Sequence, residues 1–219
     1  MSKMPRRKDH THEQIRSLAL DALLAHLQLG PLGDMSLRKL AQKIGYSPGT
    51  LINVFGSYDY LLLSVNARTL DQLAAALPLQ QTPDVDQAQP QQAITQLLAL
   101  AHSYLDFAQQ HRYQWQLLFD HRLPAEQSLP LWQQQRINDL FAVLEGALSA
   151  CAPQASSAEC QHTARTLWAA VHGICTLALS EKLFSDNPQD GPSMMQSLVH
   201  HYVTAWCQTQ QSTHRESNA

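Results

Sequence analysis

The chain has 219 residues, 44% hydrophobic and only 15% charged, which is long enough for one or two domains whose core needs no disulfide or metal staple. Its 26 glutamines carry much of the polarity, which excludes a charge-driven disordered chain. Eight glycines and 11 prolines beside abundant Ala, Leu and Gln exclude a strand-and-turn protein and favour an all-α fold. The net charge of −3 hides a gradient, because nine Lys or Arg against five acids make residues 1–68 +4 and leave −7 for the remainder. Such asymmetry suggests that one part of the chain meets a polyanion.

Residues 1–10 read as a basic arm, in which Lys3, Arg6, Arg7 and Lys8 either contact phosphate or belong to a plain unstructured tail. Thr11 followed by Gln14 is a capping-box pattern, and Ile15, Leu18, Ala19, Ala22 and Leu23 keep helical spacing until Gly30 and Pro31 stop the run. Ser36 caps a two-turn segment with Leu37, Leu40, Ala41 and Ile44 inward and Arg38, Lys39, Gln42 and Lys43 outward, and Gly45 ends it. Ser47 as N-cap and Pro48 at the first helical position open a second short helix. Two short helices with a glycine at the corner make a helix-turn-helix, whose second helix enters a major groove. A further helix is predicted from Ser57 to about Leu77, with Asp59 in its first turn.

After a Gln- and Pro-rich connection over 78–92, helices are predicted over 91–110, 112–121, 127–150, 157–184 and 192–210. The expected organisation is an arm at 1–10, a helix-turn-helix domain at 11–62, a C-terminal domain at 63–212 and a tail at 213–219.

The start of the second short helix offers free N–H groups beside small residues, Ser47, Gly49 and Thr50, so a phosphate can approach closely. Asn53 lies one turn beyond Gly49 on the same face, where its amide can pair with a base edge or a phosphate. Arg38, Lys39 and Lys43 supply phosphate contacts, or else form a merely solvated face. Ser36, Tyr46, Pro48 and Tyr58 complete the candidate DNA-binding set.

Downstream, aromatic and histidine side chains recur on the predicted helices. The candidate ligand-binding set is His102, Phe107, His111, Trp115, Phe119, Trp132, Phe141, Trp168 and His172, which either line a small-molecule cavity or pack an ordinary core. Trp168, His172 and Cys175 share one helical face, but no further ligands stand near His172 and Cys175 to hold a metal. One stripe, Leu167, Val171, Ile174 and Ala178, and another, Met194, Leu198, Tyr202 and Trp206, either finish the monomer core or pack against a second copy as a four-helix interface.

Four scattered cysteines without a CxxC pair, and an N-terminus without an apolar signal segment, point to free thiols in a reducing cytoplasm. No apolar run reaches the ~18 residues of a membrane span. No GxSxG, HExxH, convincing carboxylate pair or phosphate loop marks an enzyme, and neither a cofactor nor a metal is expected.

From Ile15 to Leu62 the chain resembles the tetracycline-repressor family of transcription regulators. The resemblance is carried by Ala19, Gly30, Ser36, Leu37, Leu40, Ala41, Gly45, Ser47, Gly49, Thr50, Leu51, Phe55, Ser57, Asp59 and Leu61. The segment WAAVHGIC around Trp168 resembles the Trp-His-Gly signature of one C-terminal subgroup. The resemblance implies a DNA-binding domain followed by a divergent ligand and dimerisation domain whose last two long helices make the dimer. It further implies a homodimer that reads an inverted repeat in double-stranded DNA and is released by a small-molecule effector. Where the family commonly carries two Tyr and a Lys that tend to contact phosphates, this chain has Ile52, Val54 and Tyr58. The expected function is that of a repressor. The alternative is a helical small-molecule-binding or protein-interaction module with weakened DNA binding.

Overall fold

The structure, a computed structural model, describes residues 10–78, 90–183, 186–187 and 190–217. The fold is all-α: the described residues form α1 (His12–Leu27), α2 (Leu37–Lys43), α3 (Pro48–Phe55), α4 (Tyr58–Ala76), α5 (Pro90–Gln110), α6 (Arg112–Asp120), α7 (Leu131–Cys151), α8 (Ser157–Leu179) and α9 (Asp190–Ser217), with a one-turn 3-10 helix at Leu32–Asp34. Apart from His10, the predicted basic arm lies outside the described residues, as does most of the 78–92 connection.

Helix starts follow local side-chain chemistry. The Thr11 Oγ1 accepts from the Gln14 N–H at 3.3 Å while the Gln14 side chain accepts from the Thr11 N–H at 2.9 Å, so two otherwise orphaned donors are satisfied together. Ser36 and Ser47 cap α2 and α3 by accepting from the N–H of Lys39 at 3.2 Å and of Thr50 at 3.1 Å. Between these helices Gly45 adopts φ +79°, a conformation that costs a side-chain-bearing residue free energy, and the Tyr46 N–H closes the turn on the Ala41 carbonyl at 2.9 Å.

Several boundaries differ from the predicted ones. α7 begins at Leu131 rather than 127, because Pro130 holds extended backbone at φ −60°, ψ 147°. α8 stops at Leu179, shortly before Glu181 turns to φ 57°. α9 continues as helix to Ser217, through most of the expected tail.

The chain forms two compact units. The first contains the described residues up to Thr69 together with His111–Leu129; the second contains Leu70–Gln110 and the described residues from Pro130 onward. The sequence reading placed 111–129 with the C-terminal domain, but its side chains explain the other association. Leu117 is buried in a core with Leu23, Leu27, Leu40, Leu51, Phe55, Leu61 and Val65. The Gln114 amide donates to the Leu24 carbonyl and the Asn66 amide to the Leu117 carbonyl, both at 3.5 Å. His121 Nε2 lies 3.1 Å from Asp59 Oδ1, joining the end of α6 to the first turn of α4.

In the second unit α5, α7, α8 and α9 pack against one another. α8 turns Cys160, Ala164, Leu167, Val171 and Cys175 inward at steps of three and four residues, and α9 turns Met195, Val199, Val203 and Cys207 inward at steps of four, each set on one helical face. The free-thiol expectation is corrected here: Cys151 and Cys207 form a disulfide, whereas Cys160 and Cys175 remain buried thiols. Among the described residues, no helix is long and apolar enough to cross a membrane.

Candidate nucleic-acid interface and effector site

The N-terminus of α3 is presented by small residues. Ser47, Pro48 and Gly49 are exposed and Thr50 is half-buried, with Ser47 Oγ 2.9 Å from Thr50 Oγ1. Capping leaves other first-turn N–H groups able to meet an anion. Asn53 is exposed one turn further along the same face and, like exposed Arg38 and Lys43, makes no side-chain hydrogen bond among the described residues. These three groups are the ones free to meet a nucleic acid without first breaking an internal bond.

Other members of the predicted set are engaged. The Lys39 ammonium donates to the Asp34 carbonyl at 3.1 Å. Ser36 is occupied as a helix cap. The Tyr46 hydroxyl sits 2.5 Å from His10 Nδ1. The Tyr58 hydroxyl donates to the Met35 carbonyl at 3.4 Å, and burial, then the neighbouring Asp59 charge, raises its pKa. Val54 occupies one of the positions where the family commonly has a phosphate-contacting Tyr, yet it is buried in the core; Ile52 is half-buried.

One cation of the positive N-terminal region has a structural use that the sequence did not disclose. Arg16 donates from Nη2 to the Val54 carbonyl at 2.7 Å and from Nη1 to Ser64 Oγ at 3.3 Å, with its guanidinium 4.4 Å from the centre of the Phe55 ring. Arg16 therefore fixes the C-terminal turn of α3 rather than reaching toward a phosphate.

The predicted ligand-binding residues divide between the two units. His111, Trp115 and Phe119 belong to the first, where the Trp115 and Phe119 rings meet edge-on at 5.1 Å. In the second, Phe107 is buried in the core, His102 is exposed, and Trp132 is exposed at the start of α7 beside Arg136, which pairs with Asp71 at 2.8 Å.

Phe141, Trp168 and His172 do come together. The Trp168 and His172 rings stack at 5.3 Å, and Phe141 meets Trp168 edge-on at 5.5 Å. Arg165 lies 4.6 Å over Phe141 and pairs with Glu145 at 2.9 Å. Tyr104 joins this cluster through its hydroxyl, 2.9 Å from His172 Nδ1. No local signal in the sequence marks this contact, because Tyr104 and His172 are 68 positions apart.

Burial lowers the pKa of His172 below its ordinary 6.5. The unfolded chain therefore binds the proton more readily than the folded chain. Stability is expected to fall as pH drops from 6.5 through the lower folded value, and His172→Asn is expected to flatten that part of the curve. Thermal melts between neutral and mildly acidic pH check this, and equal slopes for both proteins would count against it.

A helix-turn-helix with a presented helix N-terminus is the arrangement that places a short helix in a DNA major groove. Residues 97–202 match the model of the tetracyclin repressor-like C-terminal domain. Among solved structures, the chain is similar to a TetR-family transcriptional regulator from Streptomyces coelicolor at 17% identity and TM-score 0.60, covering 93% of this chain and 88% of that one. It is also similar to a TetR transcriptional regulator from Rhodococcus sp. RHA1 at 14% identity and TM-score 0.56, covering 87% and 95%. A third similar structure, a protein of unknown function from Rhodococcus sp. RHA1, has 22% identity and TM-score 0.60 over 94% and 97% of the two chains. No curated protein gives a significant match. Residues 97–202 are thus similar to the tetracyclin repressor-like C-terminal domain, and the chain as a whole shares the fold of these structures.

Proposed function

We propose that the protein is a cytoplasmic repressor that binds an inverted-repeat operator as a homodimer and leaves it when a small-molecule effector fills the second unit. The observation that carries the reading is the free, exposed Asn53 amide beside the small residues at the start of α3, flanked on α2 by unengaged Arg38 and Lys43. A base-reading group, an anion-accepting helix N-terminus and two counterion-releasing cations together form a DNA-reading surface.

The faces available for self-association lie on α8 and α9. On α9, Met194 is exposed while Leu198, Tyr202 and Trp206 are half-buried; on α8, Ile174 and Ala178 are half-buried and Leu177 is exposed. Leu167 and Val171, assigned in sequence to the same α8 stripe, instead fill the unit's own core. Reading two half-sites one turn of DNA apart would require the dimer to hold its two α3 helices about 34–36 Å apart.

Phe141, Trp168, His172 and Tyr104 are the proposed effector-contacting group, which offers aromatic surface with a hydroxyl and an imidazole as polar handles. A coupling of ~1–3 kcal/mol between effector and operator would change affinity about 5- to 150-fold. No catalytic step and no metal or cofactor enters this reading.

A gel-shift selection from random duplexes tests it: an enriched inverted repeat is expected, and none with a folded dimer would overturn the proposal. The internal engagement of Lys39 and Tyr58 favours, as a second reading, a helical module with weak DNA binding. The salt dependence of duplex binding separates the two. Replacing both Arg38 and Lys43 by alanine is expected to make the log–log salt slope shallower by about 2, whereas a negligible slope in the unaltered protein would favour the second reading.

A further inference from the structure

We infer that Cys151 and Cys207 are a thiol–disulfide clasp through which the oxidation state of the surrounding small-molecule thiols controls the packing of α9. The bond joins the last residue of α7 to α9 across a Cα–Cα distance of 6.4 Å and 56 residues of sequence. Both cysteines are buried, at 2% and 4% exposure. Bridges inside a reducing cytoplasm are usually transient and redox-sensing.

The position on α9 gives the bond its leverage. Cys207 is the last buried residue of that helix among those whose side chains are described: Gln208, Thr209, Gln211 and Ser212 are exposed and Gln210 is half-buried. Beyond Cys207 the Gln210 amide donates to the exposed Glu159 carboxylate on α8 at 3.5 Å. Met195, Val199 and Val203 anchor the preceding turns whether or not the bond exists, so the reduced protein keeps its core while the end of α9 loosens. The same helix carries Met194, Leu198, Tyr202 and Trp206 outside its buried stripe, so the clasp acts on the proposed dimer face. This last step rests on the function proposed above.

The chemistry is exchange with a small-molecule disulfide of the glutathione kind. One cysteine thiolate attacks a sulfur of that disulfide, forming a mixed disulfide and expelling one small thiolate. The second cysteine thiolate then attacks the protein sulfur of the mixed disulfide, closing the bridge and expelling the other small thiolate. Two protein thiols are oxidised and one small disulfide is reduced, and the two protons end on the small thiols. Because both protein sulfurs are buried, exchange proceeds through opening of the end of α9. Cys160 and Cys175 stay out of it: both are buried, burial pushes their pKa up, that of Cys175 to about 12, and thiolate formation is suppressed.

The test equilibrates the full chain in glutathione buffers from reducing to oxidising, quenches with acid, alkylates free thiols and counts them by mass. Two alkylations, at Cys160 and Cys175, are expected in the oxidised form and four in the reduced form, with the transition inside the glutathione range. Reduction is expected to lower Tm by roughly 5–15 °C and to change the dimer dissociation constant measured by sedimentation about 5-fold or more. Cys207→Ser should fix the reduced behaviour; should it fail to fold, the Cys160→Ser, Cys175→Ser double variant must still switch. Four alkylations under oxidising buffer, a different cysteine pair, resistance to millimolar glutathione, or identical Tm and dimer constant in both forms would each overturn the clasp. Switching of thiols and Tm in a protein that never dimerises would support the clasp and overturn the proposed dimer.

Discussion

Arg16→Ala is expected to destabilise the first unit by about 2–4 kcal/mol. The carbonyls of the last helical turn have no partner within their own helix, and Arg16 supplies one to Val54 at 2.7 Å from across the unit. The donor is charged and sits at a helix C-terminus, where positive charge is favoured. Its guanidinium also covers the Phe55 ring at 4.4 Å. Alanine removes the charged hydrogen bond, the ring contact and the packed alkyl stem together. Arg16→Lys keeps the charge but loses the fork that reaches both Val54 and Ser64, so partial recovery is expected. Denaturant midpoints of the three proteins measure this, and an alanine variant as stable as the original would show that α3 is held by its apolar face alone.

The second large effect is on recognition. Asn53→Ala should cost about 1–3 kcal/mol of binding to the selected operator, roughly 5- to 150-fold, while leaving binding to random duplex almost unchanged. The contrast is with Lys43→Ala, which removes a phosphate contact and should weaken both alike. Asn53 projects from exposed helix and bonds to nothing else among the described residues, so its removal leaves the fold intact. Equal loss on both duplexes would assign Asn53 to the phosphate backbone instead.

The parts of the fold that local chemistry decides were readable from the chain. Thr11 with Gln14, Ser36, and Ser47 with Pro48 each announce a helix start, and the structure has a helix starting at each. What depends on residues distant in sequence was not readable. Arg16 entered only as one of the nine cations in the charge balance, and the approach of α1 to the end of α3 shows what it engages. Val54 stood at a position where the family commonly offers a Tyr to phosphate, yet the packing of α3 turns it into the core. The Tyr104–His172 contact and the Cys151–Cys207 bond span 68 and 56 residues, and no local spacing rule connects such pairs. Phe119 and Trp115 carried the same apolar signal as Phe141 and Trp168, and composition could not sort them into different units.

The first unit is discontinuous: the chain leaves it at Thr69 and re-enters at His111 to contribute α6 before leaving again at Leu129. Modularity is therefore not a matter of one cut. A reading head excised at its first exit would expose the hydrophobic surface that Leu117 covers and strip the Leu24 carbonyl and Asp59 carboxylate of their partners on Gln114 and His121. Transplanting the first unit onto another partner domain would require carrying residues 111–129 along as an internal graft. Recombination at a single linker would be a poor route to new regulators from this chain, and the segment between the two visits, Leu70–Gln110, becomes the natural insertion cassette.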